Sequence, residues 1–122
     1  MHQQKFSIRS RVRSFYFAIS GIRRFIAQEH NARIHLAATL AVAALAWALK
    51  VSYLEAAVLM GAIGLVWVAE IINTCLERTC DLISYEDHPD IKIIKDLAAA
   101  AVLVASGAAV VAGLFIFIPK FL

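Results

Sequence analysis

The chain has 122 residues, of which 61% are hydrophobic and only 17% are charged, and its formal net charge is +3. A soluble domain usually carries about a quarter charged residues, so this composition favours an integral membrane protein. Basic residues beside apolar segments commonly face anionic lipid headgroups, and the composition argues against a nucleic-acid-binding surface.

Residues 1–31 mix basic and apolar side chains and are predicted to form one or two amphipathic helices on the membrane surface. The apolar residues recur at helical spacings of four, three and four. Arginines are interleaved with them, so we expect this segment to contact anionic lipid headgroups. The residues of the two sets are Phe15, Ile19, Ile22 and Ile26, and Arg9, Arg13, Arg23 and Arg24.

Three apolar segments follow and are predicted to be membrane-spanning helices at residues 32–49, 54–84 and 91–118. The second is longer than a hydrocarbon core of roughly 30 Å requires, so its last turns should project into water. A polar loop begins at Tyr85, and Pro119 is expected to end the third helix. Residues 1–122 are thus predicted to be a single all-α membrane domain.

Lys and Arg are unevenly distributed, which predicts the orientation of these helices. Seven of the twelve basic residues lie in residues 1–33, whereas only Lys50 follows the first span and only Lys120 follows the third. The N-terminus is therefore expected in the cytoplasm and the C-terminus outside. Because three spans form a thin wall around a polar site, we also expect a homo-oligomer.

The second span carries polar residues at helical spacing. Steps of three and four residues place Glu70, Asn73, Glu77 and Asp81 on one face. Ionisable groups at membrane depth are costly and commonly mark functional sites. The cytoplasmic end of this span is therefore the predicted site.

The residue types at this site suit phosphoryl transfer to a lipid alcohol. Glu29 and Glu77 can share Mg²⁺, which usually takes one or two carboxylates together with water and substrate phosphates. Lys95 can contact a phosphate, Asp96 can orient Lys95 or contact the metal or a ribose, and Glu70 can take the hydroxyl proton. Asn73 can hold that carboxylate or a phosphate oxygen.

Two other function classes stay open on the residues alone. A proton-coupled transporter would use Glu70 as its carrier, and a non-catalytic scaffold would use only the basic segment to bind lipid. The chain has no GxxxxGK[ST] loop and no GxGxxG, which argues against a familiar soluble-kinase fold. Lipid phosphorylation is favoured only slightly over transport at this point.

A longer motif adds a family resemblance. The stretch EIINTCLERTCD, from Glu70 to Asp81, resembles the pattern E-x-x-N-[ST]-A-[IL]-E-x-x-x-D of the prokaryotic diacylglycerol kinase family. KDLAAAAV, from Lys95 to Val102, resembles that family's K-D-x-x-[AS]-[AG]-A-V. Cys75 departs from the usual Ala, and both Cys75 and Cys80 are expected to be small, buried, reduced residues. The resemblance extends over about residues 5–120.

The resemblance implies a homotrimer in the bacterial inner membrane, with three spans per subunit and an N-terminal surface helix. Such enzymes use ATP and Mg²⁺ to phosphorylate a membrane lipid alcohol. Glu70 matches the catalytic base and Asn73 a residue of the catalytic and nucleotide site. Glu29 and Glu77 match the metal-binding acids. The positions that match ATP-binding residues are Glu29, Asn73, Glu77, Glu86, His88, Lys95 and Asp96.

The choice of lipid rests on a finer likeness within the family. Three features look more like the undecaprenol-kinase branch than the enterobacterial diacylglycerol-kinase branch: the stretch Asn31-Ala32-Arg33-Ile34-His35, the pair His88-Pro89 and the ending from Gly113 to Lys120. Undecaprenol is therefore the expected substrate, with diacylglycerol as the alternative. The residues expected to contact the lipid are Asn31, Arg33, His35 and Glu70.

Overall fold

A computed structural model describes residues 5–84 and 86–122 of the chain. These residues form helices joined by short connections, which confirms the predicted all-α class. The helices are α1 (Ile8–Gln28), α2 (His30–Ala48), α3 (Tyr53–Ile83) and α4 (Pro89–Phe121). Residues 1–4 of the predicted surface segment and Tyr85 of the predicted loop lie outside the described residues.

Three of these helices, α2, α3 and α4, are long and apolar enough to cross a membrane. Large apolar side chains on them are exposed, including Trp47 at 85%, Leu103 at 74% and Phe115 at 77%. Burying one such side chain stabilises a protein by about 1.5–3 kcal/mol, so these surfaces require lipid or another helix around them. The prediction of an integral membrane protein with three apolar spans is confirmed.

The chain divides into two compact units, one ending at Ala37 and one beginning at Ala38. The first unit contains α1 and the start of α2, separated at Glu29, whose backbone is extended with φ −105° and ψ 123°. Phe25 and Ala32 are buried in it.

The second unit contains the rest of α2 together with α3 and α4, and its main packing is between α3 and α4. Trp67 of α3 donates its indole N–H to Thr39 Oγ1 of α2 at 2.9 Å. The turn between α2 and α3 has Lys50 at a positive φ of 52°. Residues 49–52 thus form the turn that separates the two helices.

The start of α3 is held by a capping box. Ser52 Oγ accepts from the Glu55 backbone N–H at 3.1 Å, and Glu55 Oε1 accepts from the Ser52 backbone N–H at 3.0 Å. Lys120, in the last turn of α4, donates to the same Glu55 oxygen at 3.1 Å. These contacts connect the first turn of α3 to the last turn of α4.

The prediction that Pro119 ends the last helix is wrong. α4 continues to Phe121 with Pro119 inside it. Proline removes one backbone donor and crowds the carbonyl four residues before it, which disrupts a helix interior far more than a final turn that would soon end anyway. The Lys120–Glu55 ion pair holds that final turn against α3.

Loss of the cap at the start of α3 should be measurable. We expect Ser52→Ala to lower the free energy of unfolding in detergent by about 1 kcal/mol, because one N-terminal backbone donor of α3 loses its acceptor. Ser106→Ala, a serine inside α4, is the matched control and should change stability by less than about 0.5 kcal/mol. Equal effects of the two substitutions would contradict the capping role.

Candidate active site

One side of α3, the polar face formed by Glu70, Asn73, Glu77 and Asp81, passes from buried to exposed along the helix. Glu70 is 5% exposed and Asn73 is 9% exposed, whereas Glu77, one turn further on, is exposed. Asn73 Nδ2 donates to Glu77 Oε1 at 3.3 Å. The face therefore presents a buried carboxylate at one end and a solvent-accessible carboxylate further along.

The side-chain amide oxygen of Asn73 is a candidate acceptor for a ligand. Its Oδ1 is buried and accepts no hydrogen bond from any residue in 5–84 or 86–122. A buried acceptor left unsatisfied costs about 1–3 kcal/mol, so such an atom favours a ligand that supplies a hydroxyl proton or a cation. Because Nδ2 donates to Glu77, this hydrogen bond identifies which end of the Asn73 amide is the nitrogen and therefore which atom is the unpaired oxygen.

α4 adds a cation to the polar face. Lys95 Nζ donates to Asp81 Oδ1 at 2.7 Å, and both side chains are roughly 40% exposed. The next residue along, Asp96, is paired instead with Lys92 on its own helix. The residue that orients Lys95 is therefore Asp81 of α3, and not its sequence neighbour Asp96.

An apolar groove of about 590 Å³ lies between α3 and α4 and is lined at one position by Asn73. Its α4 wall combines Leu97 and Val104 with small residues, which are Ala98, Ala100, Ala101 and Ala105. A groove of this chemistry can accommodate a hydrocarbon chain whose polar end lies near the amide of Asn73.

The two predicted loop residues precede α4. Glu86 is exposed, and its backbone N–H donates to Ser84 Oγ at 3.0 Å. His88 caps α4, because its Nδ1 accepts from the Asp90 backbone N–H at 3.2 Å, and Pro89 is the first helical residue. A nucleotide contact by His88 would therefore involve Nε2, on the other side of the ring.

The remaining candidate residues belong to the first unit. Glu29 lies at the break between α1 and α2, Asn31 is exposed and His35 is partly buried. Arg33 donates from Nε to Ile26 O at 3.2 Å and from an Nη to Ala27 O at 2.6 Å. Its guanidinium thus contacts the last turn of α1.

Sequence reasoning missed two of these contacts. The pairing of Asp81 with Lys95 joins residues fourteen apart on different helices, and no periodicity predicts it. The contact of Arg33 with α1 has a weak sequence signal, since basic side chains near a helix C-terminus often bind its last carbonyls.

The oxygen atoms on the polar face suit Mg²⁺ better than a metal ion whose ligands are all protein side chains. No group of three or more His, Cys, Asp or Glu side chains suited to a metal ion occurs among the described residues. Mg²⁺ needs only one or two carboxylates, because water and substrate phosphates complete its octahedron. Glu77 and the amide oxygen of Asn73 are hard oxygen donors of the required kind.

Comparisons with known proteins agree with this chemistry. The family model described as prokaryotic diacylglycerol kinase matches residues 16–117. An undecaprenol kinase from Bacillus subtilis (strain 168) is 37% identical over 108 residues, which are 88% of each chain. A diacylglycerol kinase from Synechocystis sp. is 38% identical over 110 residues, covering 89% of this chain and 63% of that relative, less than two thirds of its length.

Proposed function

Because the chain belongs to the prokaryotic diacylglycerol kinase family and is a lipid kinase, we propose that it transfers the γ-phosphate of ATP to the hydroxyl of undecaprenol. The observation that carries this proposal is the buried carboxylate of Glu70 on the same helix face as Asn73 and Glu77. A base at the apolar end and a carboxylate at the exposed end suit one lipid and one nucleotide substrate.

In the proposed reaction, the carboxylate of Glu70 takes the proton of the lipid hydroxyl as the lipid oxygen bonds to the γ-phosphorus. The bond from that phosphorus to the β,γ-bridging oxygen breaks, and ADP leaves. A positioned general base contributes about 10²–10⁴-fold to such a step. The amide of Asn73 lies one helical turn from Glu70 and can accept from the same hydroxyl or hold the carboxylate.

The nucleotide is proposed to lie along the exposed end of the polar face. Lys95, oriented by Asp81, contacts a phosphate as a point charge. Asp96, Glu86 and His88 are the other proposed ATP contacts. Glu29 and Glu77 would hold Mg²⁺, which neutralises charge on the transferring phosphate when bound.

The proposed acceptor is supported by the extent of the match to the undecaprenol kinase, which covers 88% of both chains. The alternative, a diacylglycerol kinase that forms phosphatidic acid, is supported by the Synechocystis relative. The lipid contacts proposed from the sequence are Asn31, Arg33 and His35, together with Glu70. The α3–α4 groove beside Asn73 is a further place for the apolar chain.

Substrate preference gives the direct test of this choice. With purified protein, MgATP and equal mole fractions of each lipid in the same micelles, we expect kcat/KM for undecaprenol to exceed that for diacylglycerol by about tenfold, a typical discrimination by apolar contacts. Radiolabelled phosphate in each separated lipid gives both rates. Equal rates, or a preference for diacylglycerol, would favour the alternative.

The Asp81–Lys95 pair gives a smaller prediction. We expect Asp81→Asn to raise KM for ATP by at most about fivefold, because ion pairs this exposed contribute only about 0.2–1 kcal/mol. Asp90→Asn, which removes the same charge from the first turn of α4, is the control and should leave that KM close to wild type. An equal rise in both variants would contradict the orienting role of Asp81.

The remaining proposals concern the whole assembly. We propose a single-domain subunit spanning residues 1–122, a homotrimer, a cytoplasmic N-terminus and active site, an outside C-terminus, and contact of α1 with anionic headgroups. Exposed basic and apolar residues on α1 support the last of these. The family relationship does not favour a proton-coupled transporter that uses Glu70, since a lipid kinase consumes ATP.

A further inference from the structure

The break between α1 and α2 consists of a single residue, Glu29. α1 ends at Gln28 and α2 begins at His30, and Glu29 between them has extended backbone. The direction of the Glu29 carboxylate therefore depends on how α1 ends. A change of one turn at the end of α1 would carry this side chain to a different position.

The end of α1 is stabilised by three hydrogen bonds to carbonyls of its last turn. The last four carbonyls of a helix accept no hydrogen bond from within the helix, so each needs a donor from elsewhere. The Glu29 backbone N–H donates to Phe25 O at 2.9 Å. Arg33 supplies the next two donors in sequence, to Ile26 O at 3.2 Å and Ala27 O at 2.6 Å.

Arginine is well suited to this position. Its planar guanidinium presents several N–H groups in a fixed arrangement, so two neighbouring carbonyls can be bound at once. Its positive charge also lies at the negative end of the α1 dipole, which adds a favourable electrostatic interaction. Arg33 lies four residues after Glu29, in the first turn of α2. Its side chain therefore reaches back across the break to the last turn of α1.

We propose that Arg33 is a positioning residue that fixes Glu29 for binding Mg²⁺ by capping the C-terminus of α1. This inference rests on the proposed function, in which Glu29 is a metal ligand. It assigns Arg33 a role different from the lipid contact expected from the sequence. Both Nε and one Nη of the guanidinium are engaged with protein carbonyls.

The test compares Arg33→Ala and Arg33→Lys with wild type in two measurements. The first is the Mg²⁺ concentration that gives half-maximal lipid phosphorylation, and we expect Arg33→Ala to raise it by about tenfold, as loss of a ligand-orienting contact commonly does. Arg33→Lys keeps the positive charge but cannot bind two carbonyls with a planar guanidinium. Its rise in the half-maximal Mg²⁺ concentration should therefore be smaller than that of Arg33→Ala. At saturating Mg²⁺, KM for the lipid should stay near wild type in both variants.

The second measurement does not use activity. Electron paramagnetic resonance of Mn²⁺ with a non-hydrolysable ATP analogue reports binding of the metal–nucleotide. We expect its affinity to fall from wild type to Arg33→Lys and further to Arg33→Ala. Lys50→Asn removes an equal charge from the exposed turn between α2 and α3, where asparagine tolerates the positive φ of 52°, and should leave the metal requirement unchanged. If Arg33→Ala does not fold, Arg33→Lys decides the test alone.

Three results would overturn the inference. A raised KM for lipid with a wild-type Mg²⁺ requirement in the Arg33 variants would make Arg33 a lipid contact. Glu29→Gln separates this failure from failure of the proposed function. If Glu29→Gln raises the Mg²⁺ requirement and Arg33→Lys does not, only the role of Arg33 fails. If Glu29→Gln changes nothing, the metal-ligand role of Glu29 fails and the inference fails with it.

Discussion

Glu70→Gln is expected to lower the rate of lipid phosphorylation by about 10²–10⁴-fold, the usual contribution of a general base. Gln keeps the size and hydrogen-bonding atoms of the side chain but cannot take the hydroxyl proton. Because Glu70 is the buried member of the polar face, the affinity for ATP should stay within about twofold of wild type. Turnover in micelles and binding of an ATP analogue measure the two quantities.

The matched control for this substitution lies on the same helix. Glu55→Gln alters a carboxylate in the first turn of α3, far along the helix from Glu77. Glu55 forms an ion pair with Lys120 there. We expect this variant to retain wild-type turnover while losing some stability. A wild-type rate in Glu70→Gln would remove Glu70 from the role of base.

Glu77→Gln is expected to raise the Mg²⁺ concentration for half-maximal activity by at least about tenfold, because Mg²⁺ depends on charged oxygen ligands. The amide oxygen of Gln can still accept from Asn73 Nδ2, so the hydrogen bond at 3.3 Å can persist and the loss of charge is tested separately. A Mg²⁺ titration at saturating lipid, with Glu55→Gln as control, gives the comparison. Superimposable titrations would contradict the proposed ligand role of Glu77.

Local spacing was sufficient to predict much of the polar face. Residues three and four apart on a helix share a side, so Glu70, Asn73 and Glu77 were expected together, and the Asn73–Glu77 hydrogen bond lies on that side. Apolar length likewise predicted the three spans. Both inferences depend only on the geometry of a single helix, which the sequence determines directly.

Contacts between elements could not be predicted in this way. Lys120 pairs with Glu55 across 65 residues, and Lys95 chooses Asp81 over the adjacent Asp96. These choices depend on the rotation of α3 and α4 about their axes when they pack. The same ion pair at Lys120 accompanies the continuation of α4 through Pro119, which local rules predicted as the end of the helix.

The cysteines show the same limit on a smaller scale. Both were predicted to be small, buried, reduced residues, and both are free thiols. Cys80 is buried but Cys75 is exposed, so half of the burial prediction is wrong. Their separation of five positions turns the two side chains to different sides of α3, and only one of those sides is covered by described residues.

The central claim, phosphoryl transfer from ATP to a membrane alcohol at the polar face of α3, can be tested in liposomes that contain the purified chain, undecaprenol and a trapped pH-sensitive dye. The measurement is the γ-phosphate radiolabel recovered in the lipid fraction after MgATP is added. We predict labelled undecaprenyl phosphate with wild type and almost none with Glu70→Gln. Proton movement reported by the dye, with no label in the lipid from either protein, would contradict the claim.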